Sequence, residues 1–137
     1  MKKVDHIGIA VHSIDEALPY YIETLGLPLL RVEEVQSEQV KVAFLDAGNL
    51  KLELLEPLSE SSAIHGFLEK KGPGMHHIAF GVESIQARLN DLKDNGVRLI
   101  QEQPKVGAGG ALVAFIHPKS SHGVLYELCE KQSEAKN

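Results

Sequence analysis

The chain contains the same pattern twice, and the repeat limits the folds open to it. Asp5 to Val11 (DHIGIAV) matches His76 to Val82 (HHIAFGV), and Ser13-Ile14 matches Ser84-Ile85. His6 and His77 are 71 positions apart, as are Ser13 and Ser84; Gly26 and Gly96 are 70 apart, and Glu53 and Glu127 are 74 apart. Self-similarity at a fixed spacing indicates supersecondary units that each bury a face they cannot cover alone.

Within each copy the signals run strand, helix, strand, strand, strand. Asp5 to Val11 is a β-branched strand signal. Ser13-Ile14-Asp15-Glu16 fits a capping box opening a helix to about Thr24, with Pro19 bending or weakening it and Gly26 as its stop. Strands are predicted over Leu29 to Val35, Val40 to Asp46 and Leu50 to Glu56, with a turn at Ala47-Gly48-Asn49. A connector over residues 58–74 carries a helical turn around Ile64 to Lys70 and closes at Gly72-Pro73-Gly74. The second copy has its helix from Ser84 to Asn95-Gly96, then strands over Val97 to Ile100, Ala111 to Ile116 and Val124 to Glu130. These spacings predict one α+β domain over residues 1–137: module one about 4–57, module two about 75–130, and a polar, mobile tail over 131–137. Two open sheets facing each other would enclose a cleft walled by both copies.

The strands LKLELLE (Leu50 to Glu56) and VLYELCE (Val124 to Glu130) superimpose Glu127 on Glu53 and Glu130 on Glu56. A carboxylate in apolar surroundings costs several kcal/mol unless a positive group meets it, so matched Glu53 and Glu127 imply a shared cation. Repeat-equivalent positions facing each other across a pseudo-twofold let His6, Glu53, His77 and Glu127 converge. Two imidazoles and two carboxylates suit Co, Mn, Ni or Zn better than Ca or Mg, and four ligands leave two octahedral positions for water or substrate. That arrangement serves Lewis-acid chemistry. Singly, each residue also reads as a hydrogen-bonding His or a solvent-facing Glu.

Other residues are less decided. His76 neighbours His77 on a strand and must point to the opposite face. His117 and His122 bracket HPKSSH and read either as substrate contacts or as turn residues, and His12 and His65 as surface positions. The loop PKVGAGG, with Gly109 in it, either brings backbone N–H groups to a phosphate or only turns a hairpin. Lys105 and Lys119 are the nearest cations for an anionic handle. The net charge of -5 argues against a nucleic-acid partner and means that an acidic substrate needs local positive charge. The single cysteine, Cys129, forms no internal disulfide, reads as a small buried hydrophobe and suits a reducing compartment. No signal peptide or membrane span is evident, so a soluble cytoplasmic protein is expected.

DHIGIAV, ELLEPL (53–58), GMHHIAF (74–80), PKVGAGG and FIHPKSSHGVLYEL (115–128) together resemble the methylmalonyl-CoA epimerases of the vicinal oxygen chelate (glyoxalase) superfamily, from about residue 4 to 130. The resemblance implies two tandem βαβββ modules in a curved, half-barrel-like mixed sheet around a metal cleft. It further implies a cobalt-preferring, homodimeric isomerase that interconverts 2R- and 2S-methylmalonyl-CoA, a coenzyme A thioester. Its metal ligands carry over onto His6, Glu53, His77 and Glu127; some relatives have Gln in place of Glu53. Certain relatives place a catalytic Glu at the position of Val42, which cannot move a proton. Inversion at C2 needs proton removal on one face and return on the other, so Glu127 is expected as one base, while the second is open, with a metal-held water the first choice. Glu38, about 13 Å along its strand from Val42, is a poor substitute. Lys105, Gly109, His117 and Lys119 are candidates for contact with the substrate. The alternatives are a glyoxalase I type isomerase or lyase, and a metal-free small-molecule-binding module on the same fold. A two-His, one-carboxylate oxygenase fits less well, because Glu53 would occupy the position it needs open.

Overall fold

In the computed structural model, residue 1 and residues 3–132 are described. Eight strands and three α-helices occur among them: β1 (Lys3–Ala10), α1 (Ile14–Pro19), β2 (Leu29–Val35), β3 (Val40–Asp46), β4 (Lys51–Pro57), α2 (Ala63–Lys71), β5 (Gly74–Gly81), α3 (Ile85–Asp94), β6 (Lys105–Val106), β7 (Leu112–Ile116) and β8 (Tyr126–Glu130). The chain divides into two compact units, one over His6–His76 and one over Met1–Asp5 with His77–Asn137. The strand order is β2-β3-β4-β1 in the first unit and β1-β5-β8-β7-β6 in the second, with β1 divided between them. Pairing is parallel for β1/β4 and β5/β8 and antiparallel for β2/β3, β3/β4, β6/β7 and β7/β8. The βαβββ order therefore occurs twice, as the repeat requires.

Each unit covers one sheet face with its helix. In the first, Ile14 packs on Ala43, Leu45 and Leu54, which alternate with Phe44, Glu53 and Leu55 on the other face. In the second, Ile85 and Leu89 pack on Ala114, Ile116 and Leu128, which alternate with Phe115, Glu127 and Cys129. Period-2 alternation places the glutamates on the face away from the helix-packed core. Cys129 is buried among Ala111 and Val113, as its small apolar character implies.

Ser13 and Ser84 cap their helices as expected, their Oγ atoms accepting from the N–H groups of Glu16 and Ala87, each at 3.2 Å. The structure also explains the second matched pair of glutamates. Glu56 Oε1 accepts from Ile14 N at 2.7 Å and Glu130 Oε1 from Ile85 N at 2.9 Å, so each module's last strand supplies a carboxylate to its helix N-terminus. These are charge-assisted bonds at the positive end of the helix dipole. Glu130→Ala is expected to cost about 1 kcal/mol, a drop of roughly 3–6 °C in Tm by thermal denaturation.

The structure refines the sequence reading at the first helix and corrects it at the strand expected over Val97 to Ile100. The helix expected to run to Thr24 is α-helical only to Pro19 and continues as a π-turn over Tyr20–Thr24, with Leu25 N bonding Tyr20 O at 2.9 Å. Pro19 has no N–H for the α-helical ladder, and Gly26, at φ 77°, ends the segment as predicted. Val97 to Ile100 is not a strand; it makes one isolated bridge, Leu99 to Ile116. The Gln101 side chain takes the N–H of Phe115 at 2.9 Å, a donor that a ladder partner would otherwise use. The short strand β6 pairs with β7 instead. Lys131 places its Nζ 3.1 Å from the buried Asp5 carboxylate, and the rest of the expected tail, residues 133–137, lies outside the described residues.

Candidate metal centre

Each unit contains one buried imidazole–carboxylate pair. In the first, the parallel register of β1 and β4 sets Gly8 beside Glu53 and brings His6 Nδ1 to 3.3 Å from Glu53 Oε2. In the second, β5 and β8 set Ala79 beside Glu127, and His77 Nε2 lies 3.0 Å from Glu127 Oε1. All four side chains are at least nine-tenths removed from water. The two pairs occupy repeat-equivalent strands. An aromatic residue pairs with each glutamate, Phe44 with Glu53 and Phe115 with Glu127, and the His77 and Phe115 rings meet edge to face at 5.5 Å.

The donor set fits a metal. Nitrogen and oxygen ligands about 2.1 Å from an ion lie about 3.0 Å apart at octahedral right angles and about 3.4 Å apart in a tetrahedron. The two observed separations fall at those values. Burying a carboxylate is costly unless positive charge meets it, which a divalent ion would supply.

The remaining candidates are placed as follows. Lys105 is half-buried on β6 and Gly109 is exposed, at φ 69° in a 3-10 turn. Lys119 is exposed, and His117 caps the turn Pro118–Ser121, its Nδ1 accepting from Lys119 N at 3.1 Å. The turn reading of His117 is thus correct in the structure, and it leaves Nε2 for other use. His76 stacks edge to face with Phe67 at 5.0 Å. Val42 is buried on β3, between Glu33 of β2 and Leu55 of β4.

Partial burial and then the nearby charges of Arg98 and Lys119 hold the His117 imidazole below its ordinary 6.5. The cap needs an unprotonated Nδ1, so its stabilising effect is present above that ordinary value and is lost as pH falls through the lowered folded one. Titration of the His117 ring by NMR is expected to give a midpoint below 6.5; a midpoint above it would contradict the capping geometry.

Sequence reasoning missed Arg31, whose guanidinium carbon lies 4.0 Å from the centre of the Phe44 ring, and the Asp5–Lys131 pair. Both depend on strand pairing that local patterns do not reveal.

The Glyoxalase/Bleomycin resistance protein/Dioxygenase superfamily matches residues 5–115. The Bacillus subtilis protein YqjC is 49% identical over all of this chain and 98% of its own. An ethylmalonyl-CoA/methylmalonyl-CoA epimerase of Cereibacter sphaeroides is 41% identical over 92% of this chain and 96% of its own. The chain belongs to the methylmalonyl-CoA epimerase family of that superfamily. A solved variant of Streptomyces coelicolor methylmalonyl-CoA epimerase, in complex with 2-nitronate-propionyl-CoA, gives a TM-score of 0.92 at 39% identity, covering 97% of this chain and 99% of that one. A probable lactoylglutathione lyase of Synechocystis is 26% identical over 94% of this chain, so likeness to the epimerase family exceeds likeness to the glyoxalase branch.

Proposed function

We propose that this member of the epimerase family interconverts 2R- and 2S-methylmalonyl-CoA, with His6, Glu53, His77 and Glu127 holding one divalent ion. The observation that carries the reading is the buried His–Glu pair occurring once in each unit, with ligand-like separations, on the sheet face not occupied by helix packing. His6, His77 and Glu127 each offer a buried ligand atom, and this reading takes Glu53, 3.3 Å from His6, as the fourth ligand. Co2+ is the preferred ion, with Mn2+, Ni2+ or Zn2+ as substitutes for a mixed nitrogen and oxygen set. When bound, the ion supplies Lewis-acid stabilisation for the negative charge that gathers on the thioester oxygen as C2 is deprotonated.

Glu127 takes the C2 proton on one face, and a water returns one on the other, which inverts the carbon with no net loss of protons. Burial of Glu127 limits solvation of its carboxylate, which supports its assignment as the base. Lys105, Gly109, His117 and Lys119 are assigned to the anionic coenzyme A portion, where local positive charge must offset a chain of net charge -5. Among the described residues no helix is long and apolar enough to cross a membrane. Exposed Leu29, Leu30 and Val32 on the edge strand β2 accord with a homodimer.

The test is incubation of metal-restored protein with 2S-methylmalonyl-CoA in deuterated water. Deuterium at C2 and formation of the 2R epimer are expected; absence of both would refute the assignment, and turnover of the glutathione–methylglyoxal adduct instead would favour the glyoxalase reading.

A further inference from the structure

Within the first unit, the face that carries Glu53 also carries a preorganised cation. The registers of β2, β3 and β4 put Arg31, Phe44 and Glu53 in one row across the sheet, and Glu33, Val42 and Leu55 in the next. Directly paired residues share a face, so Arg31 and Glu33 project to the same side as Glu53. The Arg31 guanidinium lies over the Phe44 ring at 4.0 Å, and its Nε donates to Glu33 Oε1 at 3.2 Å. Phe44 is the immediate cross-strand neighbour of Glu53. Lying over it brings the guanidinium one strand spacing, about 5 Å, closer to Glu53 than the Arg31 backbone is.

This arrangement fixes the direction of the arginine. Stacking on an aromatic face and a hydrogen bond at Nε hold the plane, and Arg31 makes no other side-chain hydrogen bond or ion pair among the described residues. Its two terminal NH2 groups remain to meet a planar anion in the bidentate manner that carboxylates favour. Phe44 is only 2% exposed, while the Arg31 side chain is 49% exposed, so the cation sits at the border between the buried ligand region and water.

We infer that Arg31 is the specificity residue for the acyl group, pairing with the free carboxylate of a malonyl-type thioester, and that Glu33 positions it. The inference rests on the proposed epimerase reading and adds the group that distinguishes a carboxylated acyl thioester from a plain one. A cation is needed at that point because Glu53 and Glu127 already place two carboxylates in the ligand set.

The experiment measures binding of malonyl-CoA and propionyl-CoA to metal-loaded wild type, Arg31→Gln and Arg31→Lys by calorimetry, with C2 deuterium exchange and Tm recorded for each. Arg31→Gln is expected to weaken malonyl-CoA about 10- to 100-fold and leave propionyl-CoA unchanged, as loss of a hydrogen bond to a charged group implies. Arg31→Lys, which keeps the charge but not the fork, is expected to recover part of the loss at unchanged Tm. Equal weakening of both thioesters would place Arg31 on the phosphates of coenzyme A, and no weakening would leave it only shielding Phe44; either result overturns the inference. Failure of the epimerase reading itself would register separately, as absence of deuterium exchange in the wild type.

Discussion

Glu127→Gln is expected to lower C2 proton exchange by about 10²- to 10⁴-fold, the range attributed to a positioned general base. The amide keeps an oxygen for an ion and nearly the volume of the carboxylate, but cannot accept the proton. Metal content should therefore hold while exchange collapses, and the two are measured on one sample by elemental analysis and deuterium incorporation. His77 lies 3.0 Å from Glu127 and Phe115 pairs with it across β7 and β8, so the substituted side chain has a shaped site to occupy. Retained exchange would move the base elsewhere.

The second large effect concerns stability. Leu54 is fully buried in the core that α1 forms on β3 and β4, and its neighbours Glu53 and Leu55 point to the other face. Leu54→Ala leaves a cavity between helix and sheet, and the expected loss is about 2–5 kcal/mol by denaturant unfolding. The strand that carries Glu53 loosens with it, so the variant should also hold metal less tightly. Leu52, in the same core but only partly buried, should cost less on the same substitution.

The parts of the fold that could be read from the chain are those set by local chemistry. Leu29–Val35 and Val40–Asp46 form strands over the expected residues, two short apolar-rich segments lying between Gly26 and Gly48. Ser13 and Ser84 cap helices, since a serine oxygen three residues before a free N–H is a local arrangement. Prediction failed where a distant partner decides. Val97 to Ile100 has strand composition, yet Gln101 satisfies Phe115 in place of a ladder. Glu56 and Glu130 were visible as a matched pair, but their use as helix caps depends on the strand end lying against the helix start, 42 and 45 residues away.

The candidate site divides in the same way. His6, Glu53, His77 and Glu127 were recognisable because the repeat presents them twice, and the structure pairs His6 with Glu53 and His77 with Glu127. Arg31 carried no such signal. Its significance comes from the β2–β3 register that sets it against Phe44, and a register is not a property of either strand alone.

The central proposal is that the two pairs hold a single ion jointly, and metal stoichiometry tests it most directly. Equilibrium dialysis with Co2+ followed by elemental analysis should give one tightly held ion per chain in the wild type. His6→Ala and His77→Ala should each lose more than the roughly 10- to 100-fold in affinity that removal of an outer-shell partner costs. Two ions per chain, or full retention of the ion when either histidine is removed, would contradict a shared centre.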